Sequence, residues 1–210
     1  MVRHNLTLTS PIGRLVLVAP TAQDDEDAIA KLQTHPETLR YRTFSPRTMT
    51  SEEVAAKRER RLDDPRRFDF NVFTVDGAHT LVAMTCLKDV DEEHNASEAG
   101  ITVHPEVHRT GLGTEVLYTL LRFAFEEKKL HRVQFQTNAI NAGMRGWLDH
   151  AAEAHCEGVL RHARRALNGN YEDVAVYSIL EDEWREKTRA ALLKRMKVED
   201  YIDITLMIQR

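Results

Sequence analysis

The sequence predicts an α/β fold with a mostly antiparallel central sheet of about seven strands and helices on both faces. Short runs that alternate apolar and polar residues predict the strands, and stretches with apolar residues three and four positions apart predict the helices. Together they give the order β-α-α-β-β-β-α-β-α-β-β across 210 residues, with a strong hairpin signal near the end. A chain of this length can bury one core, so we expect one α/β domain.

The first half of the chain supplies four of these strands and two helices. Pro20 and Pro105 follow two of the strand runs, and Pro65 follows a charged helical stretch, as expected for a residue that interrupts both structures. The segment from Thr50 to Glu53 resembles a capping box, in which a hydroxyl accepts from a first-turn amide and Glu53 reaches back. The predicted strands are residues 15–18, 70–75, 81–84 and 99–104, the predicted helices are 23–33 and about 50–62, and residues 88–97 are predicted to be an acidic loop.

In the second half the hydrophobic period becomes helical from residue 115. Leu117, Leu120, Leu121, Ala124 and Phe125 lie on one stripe of a helix that runs to about residue 128. The other predicted elements are a strand at 133–137, a helix at 144–151, a hairpin of 158–166 and 171–180 around Asn168-Gly169, and a charged helix at 182–196. Residues 201–208 could form an additional strand. We place one domain at residues 1–185 and a charged C-terminal helix and tail at 186–210.

Composition argues against several classes of function. The net charge of −4 does not favour a general attraction to nucleic acid or to an anionic membrane. The two cysteines, Cys86 and Cys156, lack a metal-binding CxxC spacing and are typical of reduced thiols inside a cell. Residues 1–10 contain no apolar signal segment, and the aliphatic run 15–19 is too short to span a bilayer. We therefore expect a soluble cytoplasmic protein. A basic group is interpreted as the solvated end of a helix rather than as a site for an acidic partner: Arg58, Arg60, Arg61, Arg66 and Arg67.

The segment from His108 to Thr114, His-Arg-Thr-Gly-Leu-Gly-Thr, lies between a predicted strand and a predicted helix. A glycine-rich turn at a helix N-terminus presents unpaired N–H groups, and the helix dipole adds partial positive charge, which together suit phosphate oxygens. Gly111 and Gly113 let the backbone approach a ligand closely. A tight strand-to-helix turn without a ligand is an equal alternative. The third glycine of a dinucleotide fingerprint and the Gly-Lys-Ser/Thr of a P-loop are both missing.

From Glu98 to Glu115 the sequence resembles the central motif of the GNAT acetyltransferase superfamily, which reads Gln/Arg-x-x-Gly-x-Gly/Ala and binds the pyrophosphate of acetyl-CoA. The resemblance extends from about Arg14 to Trp184 and is greatest to the ribosomal-protein N-terminal acetyltransferase branch. It implies a GNAT-like fold and an N-acetyltransferase with acetyl-CoA as co-substrate and no metal. The chain departs from the family twice, because His108 occupies the Gln/Arg position and residues 151–155 replace a Leu-Gly-Phe segment.

The resemblance also implies a cofactor site. The two strands that flank the motif helix are expected to splay apart, so that pantetheine lies in the gap and the Val103 amide donates to the thioester carbonyl. Asn138 and Asn141 are expected beside the pantetheine arm, with helix capping as the alternative for both. The expected acetyl-CoA contacts are Ile101, Val103, His108, Arg109, Thr110, Gly111, Leu112, Gly113, Thr114, Asn138 and Asn141.

The reaction needs a group that accepts a proton, because an amine is almost entirely protonated at neutral pH. In related enzymes a glutamate at the start of the motif strand serves as the base, which points to Glu98, directly or through water. His104 and His108 are the alternatives.

The acceptor is predicted to be the primary amine of a small molecule. Two alternatives remain open. The acceptor is a peptide N-terminus, or the protein binds acyl-CoA without catalysing a reaction. The acidic loop from Asp89 to Glu98 would attract cationic amines if it lay beside the acceptor mouth, and otherwise its carboxylates only solvate a long loop. A homodimer is compatible with the sequence, and no nucleic-acid or membrane partner is expected.

Overall fold

The computed structural model describes residues 4–198 and contains an eight-stranded sheet with the strand order β1-β2-β3-β4-β5-β6-β8-β7. Every neighbouring pair is antiparallel except β5 and β6, which are parallel, so the predicted α/β class with a mostly antiparallel sheet is confirmed. The strand beyond the predicted seven is β1, which pairs with β2. The strands are β1 Thr7–Thr9, β2 Leu15–Val18, β3 Phe68–Thr74, β4 Leu81–Asp91, β5 Ala96–Val103, β6 Arg132–Asn138, β7 His155–Arg165 and β8 Tyr171–Leu180.

The helices lie close to their predicted positions. The capping box is confirmed, because Thr50 Oγ1 accepts from the Glu53 amide at 3.2 Å and Glu53 Oε2 accepts from the Thr50 amide at 2.9 Å. The helices are α1 Glu26–Thr34, α2 Pro36–Leu39, α3 Ser51–Leu62, α4 Leu112–Arg122, α5 Ala142–His150, α6 Glu181–Glu183 and α7 Arg189–Arg195. A 3₁₀ turn at Pro105–Val107 precedes α4, and π-helical turns at Phe123–Glu127 and Trp184–Thr188 extend α4 and join α6 to α7.

The side chains of strand β5 alternate between the two faces of the sheet, and each face packs against a different cluster. Ala99 is buried in the main hydrophobic cluster with residues of α4, and Ile101 and Val103 pack against that cluster. Successive side chains of a strand point to opposite faces, so Gly100 and Thr102 face the other way. There a second, smaller cluster joins α1 and α3 to Met84, the cross-strand partner of Thr102.

The predicted acidic loop at residues 88–97 is wrong in its extent. The β4–β5 pairing continues through Lys88 opposite Glu98 to Asp91 opposite Ala96, so only residues 92–95 form the turn. Backbone pairing with a neighbouring strand stabilises this polar stretch although its composition is that of a loop. The turn lies about 24 Å along the strand from Val103, at about 3.4 Å per residue.

The C-terminal helical segment packs on the main core. Trp184 and Leu192 are buried in that cluster, and the Thr188 hydroxyl donates to the Ala152 carbonyl at 2.9 Å. The predicted domain boundary after residue 185 falls within this segment. The prediction of an added strand at 201–208 lies outside the described residues.

Candidate functional site

A gap opens between the two parallel strands in the middle of the sheet. Strands β5 and β6 are paired from Ala96 opposite Arg132 to Glu98 opposite Gln134. Beyond this point both strands continue, β5 to Val103 and β6 to Asn138, without further pairing. The splay that the family resemblance implies is therefore present, and it begins at Glu98.

The backbone of β5 presents polar groups to this gap. The His104 amide donates to the Val82 carbonyl at 2.8 Å, which directs it toward β4. Amides alternate in direction along a strand, so the amides of Val103 and Ile101 point away from β4 and into the gap. Within the described part of the chain neither amide has a recorded acceptor. An unpaired N–H beside open space is a ready hydrogen-bond donor.

The glycine-rich turn leaves backbone amides at the start of α4 without acceptors among the described protein residues. Arg109 and Gly111 both adopt positive φ angles, 64° and 89°, and α4 begins at Leu112 without a side-chain cap. At Gly111 the glycine is required by the left-handed backbone rather than by a close neighbour, since a Cβ there would meet nothing within 4 Å. In residues 4–198 no protein acceptor is recorded for the amides of Arg109, Gly111 and Gly113, which leaves these donors for a ligand.

Side chains connect this turn to the open end of β5. His108 Nε2 lies 3.2 Å from the Val103 carbonyl oxygen, so Nε2 carries the proton and donates. A Cβ at Gly113 would lie 3.6 Å from Val103 Cγ2, which shows how closely α4 approaches the strand. The remaining side chains of the turn serve local structure: Thr110 donates to the Val107 carbonyl at 2.7 Å, Leu112 packs on the main core, and Thr114 accepts from Trp147 Nε1 at 3.1 Å.

Asn138 and Asn141 lie on the opposite wall of the gap. Asn141 caps α5, because its Oδ1 accepts from the Met144 amide at 3.2 Å while its Nδ2 donates to Thr137 Oγ1. The Asn138 amide group donates to Glu172 at 2.9 Å and accepts from the Ile140 amide. Both residues line the cleft, and their contact with a pantetheine arm stays a prediction.

Glu98 is 8% exposed and sits at the last paired position before the strands diverge. Its Oε1 is 2.8 Å from Lys88 Nζ on β4, and its Oε2 lies 3.5 Å from Gln134 Nε2. It shares the α1–α3 side of β5 with Gly100 and Thr102.

The gap opens into a cleft of about 1820 Å³ that passes from the α4 turn to the α1–α3 side. Sequence reasoning did not indicate that Arg42, Lys57 and Arg164 line this second side, and it placed Arg61 at a solvated helix end; all four line the cleft. The carboxylates of the β4–β5 turn, by contrast, do not line the cleft. The interpretation of the arginine group as a solvated helix end is wrong for three members: Arg58 bonds to Glu26 and Glu59, and Arg67 and Arg61 both reach Asp69.

The described residues contain no group of three or more His, Cys, Asp or Glu side chains arranged to hold a metal ion. In residues 4–198 no helix is both long and apolar enough to cross a membrane.

Comparison with known proteins identifies the family of the domain that contains this cleft. The sequence model of the acetyltransferase (GNAT) domain matches residues 14–151. The chain belongs to the GNAT acetyltransferase family. Members of this family use acetyl-CoA, and the chain is accordingly an acetyltransferase by family. A search of curated protein sequences found no match.

Solved structures agree with this assignment. A protein of T. thermophilus that is named provisionally as an acetyltransferase is 26% identical, with a TM-score of 0.76 over 93% of this chain and 100% of that one. Two Vibrio cholerae proteins share the fold at lower identity. Spermidine N-acetyltransferase in complex with CoA and spermine is 20% identical, with a TM-score of 0.72 over 82% and 99% of the two chains. A provisionally named ribosomal-protein-serine acetyltransferase is 19% identical, with a TM-score of 0.69 over 86% and 99%.

Proposed function

We propose that this GNAT protein transfers an acetyl group from acetyl-CoA to the primary amine of a small molecule by direct attack on the thioester. The observation that carries the proposal is the continuity of one cleft from the helix N-terminus of α4, through the splay of β5 and β6, to the α1–α3 side. A ligand with an anionic end and a long thin arm fits the first two parts. An acceptor can reach the end of that arm from the third.

The backbone amides are the groups that would hold the cofactor. The pyrophosphate would bind the amides from Arg109 to Thr114, because they open a helix and several lack a protein acceptor. The Val103 amide would donate to the thioester oxygen, where negative charge develops during attack, and Ile101 would line the arm. Acetyl-CoA supplies an activated acyl group whose thiol leaves readily, so no dedicated acid is assigned; Tyr177 is fully buried against Arg145.

Glu98 is proposed to accept the proton of the amine through water. It is five residues from Val103, which corresponds to about 17 Å along the strand, so a direct transfer at the thioester would be too long. A chain of water molecules along the cleft wall beside Gly100 and Thr102 would carry the proton from the amine to Glu98.

His108 is the second candidate for the base, and one contact favours it. Because its Nε2 donates to the Val103 carbonyl, its Nδ1 is left as the basic nitrogen close to the thioester position. If Glu98 is the base, a Glu98 variant should be inactive, and if His108 is the base, a His108 variant should be inactive. Mutation therefore distinguishes the two candidates.

Acetylation of a peptide N-terminus is the competing activity, in keeping with the resemblance to the ribosomal-protein N-terminal acetyltransferase branch. An acceptor screen that measures CoA release against small amines, amino acids and N-terminal peptides decides between them. Turnover with small amines supports the proposal, and turnover confined to peptides contradicts it. Acetyl-CoA binding by calorimetry without CoA release from any acceptor would instead identify a silent binding module.

A further inference from the structure

The α1–α3 side of the cleft carries a cationic cluster that consists of Arg42, Lys57, Arg61 and Arg164. Lys57 and Arg61 are one turn apart on α3, Arg42 follows α2, and Arg164 comes from β7, so three separate parts of the chain converge. All four side chains are half-buried. Arg164 also lies over the Phe44 ring, with 4.7 Å between the guanidinium carbon and the ring centroid.

The cluster lies beside the reaction position. Arg42 Nη1 donates to Thr102 Oγ1 at 3.2 Å, and Thr102 is the neighbour of Val103 in β5. Thr102 faces the α1–α3 side, whereas the phosphate-binding turn lies with α4 on the opposite face of the sheet. The phosphates of the cofactor therefore do not account for these positive charges.

The carboxylates that line the cleft supply too little negative charge to balance the cluster, and the nearby Glu172, opposite Arg164 in β8, accepts from Thr43 and Asn138. Three carboxylates line the cleft among the described residues, and each is already paired: Glu37 with Arg40, Glu98 with Lys88, and Asp69 with Arg67. Asp69 is shared further with Arg61 at 3.5 Å. In the described part of the chain, the side-chain hydrogen-bond partners of Arg42 and Lys57 are neutral, Thr102 and Gln33 respectively.

Confinement of these like charges is unfavourable without a ligand. Burial, followed by the nearby charges of Arg61, Arg42 and Arg60, lowers the pKa of Lys57 to about 8, and Asp69 only partly offsets this. Burial and Arg61 also lower the pKa of Arg42. A bound anion would relieve both effects, because charge-assisted hydrogen bonds to guanidinium and ammonium groups are among the strong ones.

We propose that the acceptor is a small primary amine that also carries an anionic group, a carboxylate or a phosphate, and that the cationic cluster binds this group while the amine faces Val103. This inference rests on the proposed acetyl transfer and names the substrate class for it. It runs opposite to the charge of spermidine, the polycationic amine in the name of the Vibrio cholerae spermidine N-acetyltransferase. That relative shares the fold with this chain, and the charge of its acceptor does not carry over.

The test compares five-carbon amines that differ in the charge of the other end, together with one shorter phosphate probe. The rate constant kcat/KM is measured for aminopentanoate, aminopentanamide and pentanediamine, with phosphoethanolamine as the phosphate probe. The carboxylate or the phosphate should exceed the carboxamide by at least about tenfold, the effect of one charge-assisted hydrogen bond. Equal or better turnover of the carboxamide or the diamine overturns the inference while the proposed function stands.

A binding experiment separates the two proposals. Glutarate, an anion without an amine, is titrated into the acetyl-CoA-loaded protein by calorimetry, using wild type, Arg42→Gln, Lys57→Gln and the control Arg66→Gln. Arg66 is exposed, pairs with Asp64 and lies outside the cleft lining, so this control removes the same charge elsewhere. Glutarate should bind wild type and the control but bind both cluster variants at least about tenfold more weakly.

The outcomes are distinct because acetyl-CoA affinity, measured in parallel, reports whether each variant is folded. Absence of glutarate binding in wild type, or equal binding in all four proteins, rejects the anion site. Glutarate binding that depends on Arg42 and Lys57, together with no turnover of any amine, keeps the anion site and rejects acetyl transfer. A shift of the Lys57 ammonium pKa above 8 on glutarate addition, followed by NMR, gives a readout that a purely structural lysine would not show.

Discussion

The two sides of strand β5 use different parts of the polypeptide. On the α4 side the donors are backbone amides of residues 101–113, which are close in sequence and held by a single strand–turn–helix unit. On the α1–α3 side the donors are long side chains from α3, from the segment after α2 and from β7. A backbone site depends on conformation and tolerates many side chains, whereas a side-chain site changes with each substitution. The cofactor half of such a cleft can therefore be common to a family, while the acceptor half is particular to one chain.

The largest expected effect is on proton transfer, the step in which the two sides meet. Glu98→Gln should lower kcat by about 10²–10⁴-fold if Glu98 accepts the proton, and acetyl-CoA affinity should barely change because the substitution is isosteric. The matched variant is His108→Gln. Nearly full kcat in Glu98→Gln, with a large loss in His108→Gln, would transfer the role to the α4 side.

The cofactor side is tested at Gly113. Gly113→Val should weaken acetyl-CoA binding by at least about tenfold, because its methyl groups would extend from a Cβ position already 3.6 Å from Val103 and narrow the gap beside the strand. The substitution would thus obstruct the entrance to the gap as well as the phosphate turn. Gly77→Val is the control, since a Cβ there meets nothing within 4 Å and the residue lies outside the cleft lining. Unchanged affinity of a folded Gly113→Val protein in calorimetry argues against this placement of the cofactor.

A buried acid also supports the cofactor side. Glu115 in the first turn of α4 is fully buried, accepts from the Ser10 hydroxyl, and accepts from Arg14 Nε at 3.0 Å. Glu115→Gln should lower the free energy of unfolding by about 1–3 kcal/mol, since an amide nitrogen would face one of these donors. The exposed pair of Glu181 and Arg185 provides the control, where Glu181→Gln should change stability by about 0.5 kcal/mol or less. Urea denaturation measures both free energies of unfolding. Equal losses in the two variants would mean that burial does not increase the contribution of the Glu115 pair to stability.

The smallest effect is expected on the acceptor side and has the opposite sign. Lys57→Met should raise the stability of the ligand-free protein by about 0.5–1 kcal/mol, because it removes a half-buried positive charge from like neighbours. The charged groups that face Lys57 are Arg60 and Arg61 on its own helix, Arg42 and Asp69, with the neutral Gln33 from α1. Lower stability of Lys57→Met at neutral pH would show that the cluster is not under electrostatic strain.

The stability difference between wild type and Lys57→Met should depend on pH. The pKa of Lys57 is about 8 in the folded protein and 10.5 ordinarily, so between these values the unfolded chain binds more protons than the folded one. Wild-type stability should therefore rise relative to Lys57→Met as the pH increases from 8 toward 10.5, and the advantage of the variant should shrink. Denaturation curves at several pH values measure the difference, in which all other titrating groups are shared. A gap between the two proteins that stays constant with pH contradicts the lowered pKa.

The sequence by itself determined the features that depend on residues near one another in the chain. The helical stripe at 117–125, the capping box at Thr50 and the hairpin at Asn168-Gly169 follow from local periodicity and turn chemistry, and they match the structure. The glycine-rich turn has the same local origin, because Gly111 directly precedes α4 and Gly113 lies in its first turn, and its binding of phosphate stays a prediction.

Only the tertiary structure decided the features that depend on distant segments. Strand pairing extended β4 and β5 through residues whose composition is that of a loop, and so moved the acidic turn away from the cleft. Packing brought Lys57 of α3 and Arg164 of β7 close to Arg42, although these residues are separated by up to about 120 positions in the sequence. No period or spacing encodes such a meeting, because long-range contacts follow from how the sheet and its helices bury their apolar faces together.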